Sequence, residues 1–324
     1  MKLSLAPICA TRSPVFGLAA LCLVIALSTA AGADKKAPKV DTSNVPRYEQ
    51  PTKPTGTSKP TADQRVTALM NQAQAAFEKG DHDKAVSFLN QALSVDSKSI
   101  DARYARARLF EKQGQREKAV ADYSEVLKLD PSTVNVYQFR GLQYFRLGRV
   151  KEAVADFDKY VELNPPAEPY HWQRGIAYYY AGQFDQGRKQ FELHQTVNPN
   201  DVENAAWHFL CAARAAGVAK ARAGLLPTGY DPRVPMKEIH DLLAGTAKPE
   251  DVLAAAKGGN ALGSVLNRQM FNAQLYLGLY FEALGVEKQS REYLFKAEEQ
   301  AKDNDYMGEV AHLHADLLRK GKRK

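Results

Sequence analysis

The stretch "VYQFRGLQYFRLGRVKEAVADFDKYVELNP", Val136 to Pro165, repeats its small and aromatic residues with the period of an α-helix. Tyr137, Gly141, Tyr144 and Gly148 stand at i, i+4, i+7 and i+11, which places them on one helix face. A small residue at 141 lets a partner helix approach closely. A glycine at the end of the series can adopt the left-handed conformation that ends a helix. The stretch therefore predicts a first helix that ends at Gly148.

A second helix is predicted directly after this glycine, from about Val150 to Leu163. Ala153 would face the first helix and Phe157 would fill the space between the two. Pro165 would stop the second helix, because proline lacks the backbone N–H that continuation requires. The unit is thus a pair of helices joined by a tight turn.

This pattern recurs along the chain with a period of 34 residues. Five kinds of position keep the phase: the turn glycine, two small interhelical residues, a large interhelical residue and the closing turn. The series are Gly80, Gly114, Gly148 and Gly182; Ala73, Ala107, Gly141 and Gly175; Ala85, Ala119, Ala153 and Gly187; Leu89, Tyr123, Phe157 and Phe191; and Ser97, Pro131, Pro165 and Pro199. Five phased series indicate a repeat architecture rather than an isolated motif.

The pattern resembles the tetratricopeptide repeat (TPR) family, whose units are 34-residue helix pairs with small, aromatic and proline positions in this order. Residues 66–199 match it as four consecutive units. The resemblance implies an all-α fold, a right-handed TPR superhelix of antiparallel helix pairs (an α-solenoid). It also implies that the first helix of each pair lines a concave groove.

The domain organisation follows from where this pattern holds. Residues 61–200 are predicted to form four TPR repeats, and residues 201–260 a degenerate helical repeat with a short-helix insert. Residues 261–320 are predicted to hold a further TPR-like repeat and a capping helix, and 321–324 a basic tail. This order resembles the NlpI type of periplasmic TPR lipoprotein, which would imply partners among envelope proteases or peptidoglycan hydrolases, and homodimerisation.

The N-terminal residues predict export. Residues 1–33 combine a basic leader, the apolar run Val15 to Leu27 and an Ala31-Gly32-Ala33 cleavage site, as in a signal peptide. The run is too short for a membrane span. Cys22 offers a lipoprotein alternative, but Leu21 precedes it where such signals have a small residue. Residues 34–60 are rich in proline and predict a disordered linker. We therefore expect a periplasmic or secreted protein.

The net charge of +7 is concentrated in the two ends of the chain, including the terminal "RKGKRK" from Arg319 to Lys324. The body between them is mildly acidic, which argues against a nucleic-acid groove. No GxSxG, Walker A, GxGxxG or HExxH motif is present, so we expect no enzymatic activity, no metal and no cofactor. His208 and Cys211 share a helix face, but their apolar neighbours favour packing over catalysis.

Arginines also recur with the repeat period. Arg106 and Arg140 have Asp122 and Asp156 at matching places on the second helices, and Arg174 has Gln190 there. The row could bind a ligand, or each arginine could tie the two helices of its own repeat together. We favour the second interpretation, because the arginines are in phase with core residues.

The TPR resemblance assigns a set of first-helix residues to the concave groove as partner contacts. They are Met70, Gln74, Tyr104, Arg108, Gln138, Leu142, Arg146, Trp172, Ile176, Tyr179 and Tyr180. The adjacent Tyr178 is in phase with core positions and should be buried between helices. Tyr179 and Tyr180 should either contact a partner or pack against the irregular helices after residue 199.

These observations predict a non-enzymatic exported scaffold that binds a protein or peptide segment in its groove, where aromatic and arginine side chains are typical binding hot spots. The alternative is a binder of anionic cell-wall polymer or of a membrane surface, held by the basic tails.

Overall fold

A computed structural model of the protein describes residues 59–302 and 305–321. The predicted signal peptide, almost all of the predicted linker and the last three residues of the basic tail lie outside the described residues. Within the described ranges the regular structure is helical and there is no strand. No helix in this part of the chain has the length and apolar character needed to cross a membrane.

The helices follow one another in consecutive packed pairs, as an α-solenoid requires, and the predicted fold class is confirmed. A 3-10 helix, Pro165–Tyr170, separates the sixth and seventh helices. The helices are α1 Ala62–Glu78, α2 His82–Val95, α3 Ile100–Lys112, α4 Arg116–Leu129, α5 Val134–Arg146, α6 Val150–Leu163, α7 Trp172–Tyr180, α8 Phe184–Gln195, α9 Val202–Ala216, α10 Val218–Ala223, α11 Met236–Ala244, α12 Pro249–Lys257, α13 Gly263–Ala283, α14 Glu287–Gln300 and α15 Tyr306–Arg319.

The glycine positions of the repeat have a packing reason. A Cβ atom built on Gly141 would lie 2.7 Å from the Phe157 ring, and one on Gly175 would lie 2.6 Å from the Phe191 ring. Real Cβ atoms do not approach so closely, so the aromatic side chain of the second helix requires glycine opposite it in these repeats. The turn glycine Gly148 has a φ of 70°, in the left-handed region that glycine adopts without strain.

The recurring arginines tie the helices of each repeat together. Arg140 donates from Nε and Nη2 to the carboxylate of Asp156 at 2.8 and 2.7 Å, and Arg106 bonds Asp122 in the same bidentate way. In the fourth repeat Arg174 donates to Gln190 Oε1 at 3.1 Å. For Arg106 and Arg140 the interpretation as a scaffold contact is confirmed, because fork-shaped pairing to the repeat's own carboxylate occupies the guanidinium. Arg174 forms its ion pairs with Asp158 on α6 and Glu168 on the 3-10 helix.

The hydrophobic core differs along the chain. The first two repeats hold separate small clusters, one around Leu89 and one around Tyr123. A single large cluster then extends from Phe145 on α5 to Leu318 on α15. The chain from α5 onward therefore shares one continuous core.

The last helix does more than cover the end of the array. Helix α15 packs on α14, as a capping helix would, but it also contacts α5, far back in the sequence. It begins with Tyr306, whose ring stacks on Phe145 with centroids 5.4 Å apart. The C-terminal helix thus turns back onto the inner face of the superhelix.

Candidate functional site

The inner face of the superhelix is built from first helices α1, α3, α5 and α7, and four positions on each helix contribute to it. The 34-residue period makes these positions comparable from repeat to repeat. They are Met70, Tyr104, Gln138 and Trp172; Gln74, Arg108, Leu142 and Ile176; Phe77, Glu111, Phe145 and Tyr179; and Glu78, Lys112, Arg146 and Tyr180.

The α7 end of this face is covered by the chain itself. Tyr179 is only 1% exposed, and its hydroxyl donates to the buried carboxylate of Glu282 on α13 at 2.9 Å. Its ring meets Trp207 on α9 edge to face, with centroids 5.3 Å apart. Ile176 is equally buried. The expectation that Tyr179 and Ile176 are accessible groove residues is therefore wrong, because α9 and α13 fill the space in front of them.

Tyr180 takes part in the same covered region. Its hydroxyl lies 3.0 Å from Nδ1 of His314 on α15, and its ring packs edge to face on Phe145. His314 is fully buried and its Nε2 lies 3.6 Å from Glu282. The interpretation in which Tyr179 and Tyr180 pack against the later helices is thus the one that the structure bears out.

Tyr178, by contrast, lies in the core of its repeat as predicted and is 5% exposed. Its hydroxyl donates to Asp158, and Nε of Arg174 donates to that hydroxyl at 2.9 Å. Burial, reinforced by the bond to Asp158, raises the pKa of Tyr178 to about 12. The phenol is therefore neutral at physiological pH, which is consistent with a packing residue rather than a reactive one.

An ion-pair network attaches α15 to the inner face. Arg146 Nε lies 2.7 Å from Glu309 on α15, and Arg146 Nη1 donates to Glu111 on α3 at 3.2 Å. Burial raises the pKa of Glu309, although Arg146 opposes that shift. Arg146 was predicted to face a partner, and here both of its contacts are carboxylates of the same chain.

The α1 and α3 part of the face is less buried than the α7 end. Tyr104 and Arg108 are half-buried, and the Arg108 guanidinium lies 4.1 Å from the centre of the Phe139 ring on α5. Tyr104 packs against the same ring with centroids 6.1 Å apart. Met70 and Gln74 on α1 are likewise half-buried. We call the surface of Met70, Gln74, Tyr104, Arg108 and Phe139 the open face.

Gln138, Leu142 and Trp172 mark the boundary between the open and the covered parts. Gln138 Oε1 lies 2.5 Å from Nε2 of His171, so its amide is engaged at the α6–α7 junction. Leu142 packs against the large C-terminal core, and Trp172 meets the Tyr306 ring edge to face at 4.9 Å. The predicted groove is thus divided near α5.

Two buried histidines have the lowered pKa values that are typical of packed side chains. His171 is buried, and desolvation lowers its pKa to about 4. His208 Nε2 lies 3.3 Å from Glu192, and burial lowers the pKa of this ring as well. Within the described ranges no three His, Cys, Asp or Glu side chains are grouped so that they could hold a metal ion.

One sequence signal could have revealed the covering. Glu282 stands in the apolar stretch "AQLYLGLYFEALG", and its side chain is 0% exposed. A carboxylate in an apolar helix needs buried partners, and here they are Tyr179, Arg214 and His314. All three partners lie far from Glu282 in the sequence, so no local pattern identifies them.

The comparisons with known proteins agree with this fold. Two family models described as tetratricopeptide repeat match residues 66–99 and 104–168, so the chain contains tetratricopeptide repeats. No match was found among curated proteins.

Among solved structures, a tetratricopeptide repeat protein from Parabacteroides merdae ATCC 43184 is similar over 77% of this chain and 98% of its own, with 16% identity and a TM-score of 0.53. MamA from Desulfovibrio magneticus RS-1 has 17% identity and a TM-score of 0.45, over 50% of this chain and 92% of its own. The first TPR of Spaghetti (RPAP3), bound to the HSP90 peptide SRMEEVD, has 24% identity and a TM-score of 0.30, over 32% of this chain and 81% of its own. The first likeness shows the fold alone, and the other two scores are too low to carry an argument.

Proposed function

We propose that this protein is a non-enzymatic scaffold that binds a protein or peptide segment on the open face. The observation that carries the proposal is the Arg108–Phe139–Tyr104 cluster. An arginine stacked on an aromatic ring, with a second ring beside it, combines the side chains that dominate binding energy at interfaces. Glu111 lies 3.5 Å from Arg108 Nε and helps to hold that guanidinium in place.

The proposal places this scaffold in the bacterial cell envelope, as a periplasmic or secreted protein. The support is the sequence of residues 1–33, with its basic leader, apolar run and small-residue site. The order of repeats, similar to that of NlpI-type lipoproteins, suggests envelope proteases or peptidoglycan hydrolases as partners and a homodimer. Mass spectrometry of the exported chain tests the location: we expect a mature N-terminus near Asp34, and an intact leader or a lipid on Cys22 would contradict it.

Site-specific cross-linking tests the open face. A photoreactive amino acid replaces Tyr104 in one variant and Tyr230, which is 84% exposed, in another. In envelope extract we expect the probe at position 104 to cross-link a partner protein that the probe at position 230 does not cross-link. Arg108→Ala combined with the probe at 104 should reduce the yield about tenfold, which corresponds to the loss of about 1.4 kcal/mol of binding free energy. Equal cross-linking from both positions would contradict the proposal.

Cross-linking also distinguishes binding on the open face from the alternative, in which the basic tail binds an anionic surface. Removal of residues 321–324 takes away the basic tail, leaves α15 and the Arg319–Glu298 pair in place, and should leave cross-linking at position 104 unchanged. If binding instead requires the tail and disappears with rising salt, the tail rather than the open face holds the ligand.

A further inference from the structure

A cavity of about 190 Å³ lies between α7, α8, α9 and the start of α15. Its apolar wall consists of Trp172, Ile176, Phe191, Trp207 and Met307. A cavity of about 150 Å³ with apolar walls is already large enough to hold benzene. The space therefore admits a benzene-sized ring together with a short polar arm.

Two buried side chains of this wall carry polar atoms that lack a hydrogen-bond partner among the described residues. They are Nε1 of Trp207, a donor, and Oδ1 of Asn204, an acceptor, and each residue is 2% exposed. The amide nitrogen of Asn204 donates to the Phe191 carbonyl at 3.1 Å and to Gln195 Oε1 at 2.9 Å. These two bonds fix the amide, so that Oδ1 is left to accept. Buried polar groups are normally satisfied, and a ligand that donates a hydrogen bond would satisfy the Asn204 oxygen.

The cavity also has a charge preference. Asp201 and Glu203 line it, and none of its lining residues is lysine or arginine. Arg233 contacts both carboxylates at 2.5 Å, but it also pairs with Asp231. Three carboxylates thus share one arginine. Glu203 Oε1 also accepts from the Tyr276 hydroxyl at 2.9 Å, and desolvation raises the pKa of Glu203 although Arg233 opposes that shift. A second positive charge is favoured at this wall, and a negative one is disfavoured.

A second cavity lies beside the first. It measures about 500 Å³, and Glu203 and Met307 line both spaces. Its own wall includes Gln269 on α13, whose Oε1 is another buried acceptor without a partner in the described part of the chain.

We propose that the inner cavity binds an organic ammonium group carried on a benzene-sized apolar body. The ring would lie between Trp172 and Trp207, and the ammonium would donate to Asn204 Oδ1 and to the Glu203 carboxylate. This site goes beyond the proposed function, because it lies in the covered part of the superhelix and not on the open face. The same chemistry occurs in a free arylalkyl amine and at the N-terminus of a peptide that begins with phenylalanine.

Tryptophan fluorescence gives a direct test, because the chain has only two tryptophans and both line this cavity. The full-length protein is titrated with 2-phenylethylamine, with the dipeptide amide Phe-Gly-NH2, which has no free carboxylate, and with 2-phenylethanol, which has the shape of the amine without its charge. We expect a saturable fluorescence change with at least one of the two amines. The amine that binds more tightly shows whether the ligand is a free arylalkyl amine or the N-terminus of a peptide. The alcohol should bind at least about tenfold more weakly, as for the loss of a charge-assisted hydrogen bond.

Variants with matched controls assign the contacts. Asn204→Ala and Glu203→Gln should each weaken amine binding on the order of tenfold. Asn135→Ala and Glu162→Gln change the same residue types at exposed positions and should leave it unchanged. If a cavity variant does not fold, as judged by its melting curve, Trp172→Phe at a half-buried position replaces it and should weaken binding several-fold. No saturable signal with either amine, or equal binding of amine and alcohol, would overturn the proposal.

Discussion

The four repeats have an equivalent position at the same place in their first helices. This position is partly exposed in the first two repeats and buried in the last two. Phe77 and Glu111, in the first and second repeats, are half-buried, whereas Phe145 and Tyr179, in the third and fourth repeats, are 0% and 1% exposed. The helices that carry them are similar, and the difference comes from α9, α13 and α15, which cover one part of the inner face. Burial at a repeat position is therefore set by what the later chain places in front of it.

The difference extends to stability. In a repeat array each unit is stabilised by its own packing and by contact with its neighbours. The first two repeats hold small separate clusters, while α5 to α15 share one core. We expect the first repeats to open locally at lower free energy than the covered region.

The largest expected effect comes from one buried aromatic residue. Tyr179→Ala removes a ring that is 1% exposed and leaves the Glu282 carboxylate without the Tyr179 hydroxyl. We expect a loss of ~3–5 kcal/mol in the free energy of unfolding, as for other buried aromatic-to-alanine changes. Phe77→Ala at the equivalent, half-buried position should cost about 1 kcal/mol. Denaturant melts of both variants measure this, and equal losses would show that the covering does not distinguish the two regions.

The junction between the regions should respond to acid. His171 is the N-cap of α7: its Nδ1 accepts from the Arg174 N–H at 3.2 Å. Desolvation lowers the pKa of His171 from 6.5 to about 4. The unfolded chain therefore binds a proton between these two values and the folded chain does not. Stability is complete above pH 6.5 and falls as the pH drops towards 4, by on the order of 3 kcal/mol.

His171→Asn isolates this contribution, because asparagine also caps a helix N-terminus and does not titrate. The unfolding free energy of wild type and variant is measured from pH 7.5 to pH 4. The difference between them should shift in favour of the variant as the pH falls. A difference that stays constant over this range would mean that the imidazole is protonated in the folded protein at little cost.

A smaller difference is expected between the coupling energies of two ion pairs: the partly buried pair that attaches α15 and an exposed pair on the surface. Arg146 and Glu309 are 20% and 6% exposed, whereas Arg149 and Glu152, three residues apart at the start of α6, are 48% and 46% exposed. A double-mutant cycle with Arg146→Met and Glu309→Gln should give a coupling of about 1–3 kcal/mol. The same cycle on Arg149 and Glu152 should give about 0.5 kcal/mol or less. Couplings of similar size would argue against an electrostatic attachment of α15.

The smallest effect is expected on the open face. Gln74 is half-buried and its side chain donates to Glu78, one turn later. Gln74→Ala should therefore change the unfolding free energy by no more than about 0.5 kcal/mol. Its equivalent in the covered region is Ile176, and Ile176→Ala should cost ~2–5 kcal/mol. A large loss at Gln74 would show that chain outside the described residues covers the first repeats as well.

Much of the fold could be read from local spacing. The second helix of the third repeat was predicted from Val150 to Leu163, and the structure has these bounds. The arginine contacts could also be predicted, since Arg140 and Asp156 are 16 residues apart within one repeat. Among the predicted groove residues, Ile176 and Tyr179 are buried, whereas Tyr104 and Arg108 are half-buried, and their contact with a partner stays a prediction. The burial of the first two depends on Trp207 and Glu282, and the bond from Tyr179 to Glu282 spans 103 residues.

The sequence by itself determined the all-α repeat, the turns at its glycines and the helix pairs, because these follow from contacts within about 34 residues that every unit repeats. Only the tertiary structure decided which part of the inner face is available. That outcome depends on helices outside the regular repeat, whose apolar faces and buried carboxylate find their partners on distant elements. Burial of positions on this face depends on contacts with helices that are distant in the sequence, and no short window of sequence contains those contacts.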